Sequence, residues 1–541
     1  MNWKIKSKTI PQDLDQLQAL LLENRQIDNQ KLFFNPVDPS EIKLKQVGID
    51  PAELEKAVGL VHQAIEQDQK VVIFGDYDAD GITAASVLWL TLNHLGLQAQ
   101  PFIPKREEHG YGITQSALEE IISQDKPDLI ITVDNGIVAN EAVRFARDQG
   151  IEVIVTDHHQ PGHELPPASA LVHSTAVAGA AVAWFLARGL DEKYATKLLD
   201  LVGIATIADQ MPLVDFNRSF AVYGLRALEK SSRPGLLALM EVSGIDQTKL
   251  DSFSIGFGLA PRINAAGRLT HGLTAMRLLC TGNLPAAKKI ARQLNQVNQD
   301  RQDVTKKSFE QALNLVKNQY QHNILIAASK DFHEGVIGLV AGKLTERFYK
   351  PAIAISLGKN QAKGSARSVT GVNITQLLRQ VSEHLDSVGG HELAAGFSLK
   401  PEKLDSFQQA LSELALKQIE PGLLEQEQQI ECILPSGLVD FELVKLIDQL
   451  APFGMANLPP IFVLEELEVL DSFSMGRDNK HLRLSLKTTE GQVLKAVGWY
   501  KAKLLDQLEP GTKLKLATAV ELNHWKGRTN LQLKIKDIQV E

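Results

Sequence analysis

The segment Val71-Val72-Ile73-Phe74-Gly75-Asp76-Tyr77-Asp78-Ala79-Asp80-Gly81 constrains this chain more than any other. An apolar run that reads as a buried strand ends in three carboxylates spread over five residues. Carboxylates this close repel one another, so an uncompensated cluster at a strand end is costly. Hard divalent cations, which take several oxygen ligands, are the usual compensation. An acidic turn is the plain alternative for one such segment taken alone. A calcium-binding helix–loop–helix also begins this way, but its twelfth loop position must be Glu, and here it is Val87.

Two further apolar runs also end in polar residues. One is Leu129-Ile130-Ile131-Thr132-Val133 before Asp134-Asn135-Gly136, and the other is Val153-Ile154-Val155-Thr156 before Asp157-His158-His159. In an open parallel α/β sheet, functional groups gather beyond the carboxyl ends of the strands. Three strands would thus deliver Asp78 and Asp80, then Asp134, then Asp157-His158-His159, to one crevice. A fourth carboxylate, Asp209, ends the helix-like stretch Leu198 to Ala208.

GDYDADG, VDNG, TDHH and the later IAD resemble the four motifs of the DHH phosphoesterase superfamily. The wording of the first motif is similar to that of the RecJ family, bacterial exonucleases specific for single strands. Pro261-Arg262-Ile263-Asn264-Ala265-Ala266-Gly267-Arg268-Leu269 resembles that family's linker motif. Gly364-Ser365-Ala366-Arg367-Ser368 and Gly389-Gly390-His391 resemble the signature of its DHH-associated domain.

The resemblance implies a two-metal site, whose carboxylates with one imidazole favour Mg²⁺ or Mn²⁺ over zinc. Asp78 and Asp134 would ligate one ion, and Asp80, Asp134, His158 and Asp209 the other, with Asp134 shared. Asp76 would bind metal or orient a water, because Phe74 stands where other branches begin the motif with His. Asp157 would orient the His pair and His159 would meet the phosphate or the leaving oxygen. Arg106, Ser365 and Arg367 would take a phosphate near the 5′ end, while Arg262, Asn264, Arg268 and His391 would line the path of the substrate. The implied activity is metal-dependent 5′→3′ hydrolysis of single-stranded DNA to 5′-mononucleotides, in recombination and repair. The implied partners are a single-strand-binding protein and a RecQ-type helicase.

At 541 residues the chain exceeds one ordinary core. A lead-in over 1–50 precedes a catalytic α/β domain with a parallel sheet over 51–215, where strands alternate with helices. A helical region over 216–320 ends in one long candidate helix from 285 to 318, a strut between domains. A smaller α/β domain follows over 321–420. The short alternating runs of 421–541 suggest an OB-like β-barrel that binds nucleic acid.

The formal charge of −8 alone argues against a nucleic-acid protein. Yet from Asp471 onward 13 Lys/Arg face 8 Asp/Glu, which makes that tail basic on an acidic chain. Trp499, Tyr500 and Trp525 are its candidate stacking rings. The two cysteines, Cys280 and Cys432, carry no metal spacing and fit a reducing cytoplasm. No apolar stretch is long enough to span a bilayer, and Ala176 to Ala187 reads as a buried helix. A monomer without membrane contact is expected. Other readings are a phosphoesterase for pyrophosphate or small oligo- and cyclic dinucleotides, and a DNA-binding scaffold with a relict site.

Overall fold

The computed structural model describes residues 2–105, 112–525 and 527–541. Chain order begins with β1 (Asn2–Ile5) and α1 (Leu14–Glu23), whose Leu17, Leu20, Leu21 and Leu22 are buried. Helix α2 (Pro51–Glu66) then leads to β2 (Val71–Gly75), α3 (Ala79–His94), β3 (Ala99–Phe102), β4 (Leu129–Val133), β5 (Glu152–Asp157) and β6 (Ala170–His173). These strands form one sheet in the order β3-β2-β4-β5-β6, with every pairing parallel. Strands β2 and β4 are buried along their whole length, as expected for a sheet covered on both faces.

All carboxyl ends of a parallel sheet lie on one edge, and the register is tight there: Gly75 pairs Val133, and Val133 pairs Thr156. The residues just beyond these pairs are Asp76, Asp134 and Asp157. Above them lie two buried helices, α4 (Gly179–Leu190) and α5 (Leu199–Ala208). Helix α6 (Asp215–Glu229) packs on α5, where Gly203 and Gly224 face each other so closely that a Cβ on either would sit within 2.6 Å of the other's Cα.

Helix α7 (Ala260–Leu269) carries the linker motif and packs on α8 (Leu284–Leu315), a 32-residue helix capped by Asn283 with Pro285 in its first turn. At 1.5 Å per residue this strut is about 48 Å long. The second domain is a five-stranded mixed sheet of β7 (Leu325–Ser329), β8 (Ala352–Leu357), β9 (Ala362–Arg367), β10 (Ser387–Gly390) and β11 (Ala394–Leu399). Helix α9 (Ile337–Phe348) joins β7 to its parallel neighbour β8.

After β12 (Glu427–Ile430), strands β13 (Phe462–Met475), β14 (His481–Lys487), β15 (Val493–Gly498), β16 (Lys513–Trp525) and β17 (Arg528–Val540) close a barrel in the order β13-β14-β15-β17-β16. The lead-in finds its place here. Strand β1 pairs in parallel with β12, and Leu17, Leu20, Leu21, Leu22 and Phe33 share one apolar core with the barrel. Sequence proximity suggests no such partner, because the contact spans more than four hundred residues.

Candidate two-metal centre

Two acids of the first motif are held by the start of a helix and the third by the turn before it. Asp78 caps α3, accepting from the Gly81 N–H at 3.0 Å, and Asp76 accepts from the Tyr77 N–H at 2.6 Å. The Asp80 carboxylate takes both Gly179 and Ala180 N–H groups at 2.7 Å. These donors are the first of α4, where the helix dipole favours negative charge. Gly179 has a second reason to lack a side chain, since a Cβ there would lie 2.4 Å from Asp134 Oδ1. Asp134 itself sits at φ 60°, in the left-handed region that turns its carboxylate back over the strand end.

The side chains fall into overlapping groups. Asp76, Asp78 and Asp134 offer ligand atoms within 4.8 Å of one another; so do Asp80, His158 and Asp209, and so do Asp134, His158 and His159. His158 Nε2 is 3.1 Å from Asp134 Oδ1, 3.7 Å from Asp209 Oδ2 and 3.8 Å from Asp80 Oδ2. Asp134 Oδ1 is buried without a hydrogen-bond partner. A buried carboxylate oxygen left in that state beside an imidazole nitrogen fits a cation between them.

The electrostatics agree. Burial, followed by the Asp78 charge, raises Asp76 and Asp209 to about 7. Burial and neighbouring acids push Asp80 and Asp134 well above the ordinary carboxylate range. Burial, then the charge of His159, lowers His158 to about 4, so its imidazole is neutral at physiological pH, the form that can ligate a cation. Asp157 behaves differently. Burial works to raise it, but its bond to the His159 ring at 2.8 Å, with N–H groups from Ile137, His158 and His159, holds it below the usual range. His159 gains from the same bond: burial opposes its charge, yet Asp157 and then Asp76 and Asp209 raise it to about 9.

Phe74 is fully buried and stacks on Phe102 at 5.4 Å, so that position belongs to the core and Asp76 stands alone at the outer end of the motif. Asn264 is drawn into the scaffold, accepting the Ala79 N–H at 2.7 Å. Arg262 donates to Asn295 Oδ1 and Gly258 O. Arg268 donates to Gly335 O at 3.2 Å and so ties α7 to the second domain. Arg367 Nη1 reaches Ser365 Oγ at 3.2 Å, and both face Gly338 in the first turn of α9. His391 is exposed at the turn between β10 and β11. Arg106 and Lys526 lie outside the described residues. Trp499 and Tyr500 are exposed and both pack edge-on against His481.

Sequence reasoning missed Gly179 and Ala180, because backbone donors leave no side-chain signature; only a glycine opening an Ala-rich helix hinted at them. It also missed Phe253 and Phe257, two exposed rings stacked at 4.5 Å just before α7.

Fold and site define a DHH-type protein: a parallel sheet carrying clustered acids, a linker helix, a second α/β domain and a barrel. The family models agree, matching the DHH family N-terminal domain over 70–206, the DHHA1 domain over 319–417 and the RecJ OB domain over 430–537. The single-stranded-DNA-specific exonuclease RecJ of Bacillus subtilis is 35% identical over 99% of this chain and 70% of its own length. That of Haemophilus influenzae is 32% identical over 90% of each. The crystal structure of RecJ from Thermus thermophilus in complex with Mn²⁺ superposes with a TM-score of 0.84, at 27% identity over 99% of this chain and 79% of that one. The chain belongs to the RecJ family.

Proposed function

We propose that this chain is a metal-dependent exonuclease that hydrolyses single-stranded DNA 5′→3′ to 5′-mononucleotides, in recombination and repair. The observation that carries this reading is the convergence of five carboxylates and His158 into triads that fit two cations. Asp76, Asp78 and Asp134 would hold one ion and Asp80, Asp134, His158 and Asp209 the other. A pair of Mg²⁺ or Mn²⁺ ions held there supplies charge neutralisation for the phosphodiester and for the departing oxygen.

The chain's own groups do the rest. Asp157 fixes the His159 ring through Nδ1, leaving Nε2 to present a proton. With its pKa raised to about 9, His159 is protonated at neutral pH and can donate to the phosphate or the departing 3′ oxygen. Arg367 and Ser365, with Arg106, take the 5′-terminal phosphate, so that the next phosphodiester meets the acids. Arg262, Arg268 and His391 line the approach, and Asn264 sets the height of α7 above the first motif. The basic barrel holds the trailing strand.

No described helix is long and apolar enough to cross a membrane. Family membership supports a cytoplasmic monomer that works with a single-strand-binding protein and a RecQ-type helicase. The test is competition among substrates in Mn²⁺: long single strands, dinucleotides, cyclic dinucleotides and pyrophosphate. The reading requires long strands to have the highest kcat/KM. Preference for pyrophosphate or a dinucleotide would instead make this a small-molecule phosphoesterase.

A further inference from the structure

Arg301 lies midway along α8, three residues after Asn298 and therefore on the same helix face. Its guanidinium is half-buried, and Nε is shut off from solvent without a hydrogen-bond partner. Among the described residues, the neighbouring charge it feels is the like charge of Arg262. Among the described residues Arg262 has no carboxylate contact either, since its bonds go to the Asn295 side-chain oxygen at 3.0 Å and the Gly258 carbonyl at 2.7 Å.

This arrangement is unfavourable by itself. A buried donor left unsatisfied is costly, and two adjacent guanidiniums without a counter-charge among the described residues repel one another. An anion with several oxygens would supply the missing counter-charge, and the planar fork of a guanidinium matches a phosphate. The surroundings point to the kind of phosphate. Two residues beyond Arg262, Asn264 holds Ala79 of the metal-binding motif; at the other end of α7, Arg268 holds the second domain. The carbonyl that receives Arg262 belongs to the segment bearing the stacked, exposed Phe253 and Phe257 rings. Cations beside exposed rings suit an unpaired polynucleotide better than a small inorganic anion.

We infer that Arg301, together with Arg262, forms an anion site on the strut that takes a backbone phosphate of the single strand other than the one being cleaved. The inference rests on the exonuclease reading and adds to it a contact on α8, outside the motif residues.

The test compares wild type with Arg301→Met, which keeps the apolar stem, and Arg301→Lys, which keeps the charge. The readouts are KM for a 5′-phosphorylated oligothymidylate in Mn²⁺ over a range of salt, and the melting temperature. Arg301→Met should raise KM about tenfold and reduce the slope of log KM against log salt by about 0.7, the value for one phosphate contact on a single strand. Its melting temperature should equal or exceed that of wild type, because an unpartnered guanidinium has been removed. Arg301→Lys should keep the salt slope while losing part of the affinity. An unchanged KM and slope in Arg301→Met overturns the site. A lowered melting temperature or a failure to fold also overturns it, by assigning Arg301 to packing. If wild type shows no salt-dependent use of the strand, the exonuclease reading itself fails; a salt-dependent wild type with an indifferent variant removes only the anion site.

Discussion

Asp134 concentrates the physics of this protein in one residue. It is 2% exposed, stands at positive φ, and presents an oxygen that lacks a hydrogen bond. Without metal, Asp134 and its neighbours Asp76, Asp80 and Asp209 carry folded-state pKa values above those of the unfolded chain, which are near 4. A raised carboxyl pKa contributes stability that is present below the unfolded value and lost as pH rises through the folded one. The metal-free protein should therefore lose stability between about pH 4 and pH 7, the region in which Asp76 and Asp209 ionise. The melting-temperature gain from Mn²⁺ should be larger at about pH 8 than at about pH 5. A gain independent of pH would contradict the shared-acid account. Asp134→Asn should melt at or above wild type without metal, because a charge has left the cluster, yet gain little from Mn²⁺ and turn over at least about a hundredfold more slowly.

At the scale of elements, the site depends on strand ends meeting helix starts. The acids at 76, 134 and 157 were legible in the sequence because a carboxylate closing a buried strand is a local pattern, and one that costs free energy unless a cation or a set of donors meets it. Asp209 was legible both as the carboxylate that ends a helix-like apolar stretch and through its motif. The reason for Gly179 was not, because it is set by the distance between α4 and β4, which no local pattern encodes. Gly179→Ala tests that packing. Its Cβ would overlap Asp134 Oδ1, so either α4 or the carboxylate must shift. Overpacking of this kind costs about 1–3 kcal/mol. Manganese affinity should fall with stability, as read by titration and melting on one preparation. A variant with wild-type affinity would show that α4 does not set the position of Asp134.

Across the whole molecule, the chain closes on itself. Apolar side chains from Leu17 to Phe33 join the core of the barrel, and the partner of this lead-in was not readable because it is a surface at the opposite end of the sequence. Arg218 locks this unit to the catalytic domain. It is 2% exposed, donates to Phe33 O at 2.7 Å, Leu450 O at 3.1 Å and Ala451 O at 2.7 Å, and stacks on the Phe33 ring at 3.8 Å. Arg218→Met removes the bonds to three carbonyls, of which only Leu450 O still accepts from the Asn457 amide, and should cost about 3 kcal/mol. Calorimetry should then resolve two transitions where wild type shows one, the barrel with its N-terminal segment separating from the rest. A single transition in the variant would show that other contacts suffice.

On the exonuclease reading, this closed frame delivers the end of an unpaired strand to a metal-bearing acid cluster. The most direct measurement follows a long DNA strand labelled at either end, alone and annealed to its complement, with Mn²⁺ and with chelator. The account predicts that the unpaired strand is consumed from its 5′ end to mononucleotides only when Mn²⁺ is present, that a 5′ label is released at once and a 3′ label last, and that the duplex persists. Internal fragments, equal attack on the duplex, or undiminished digestion in chelator would contradict it.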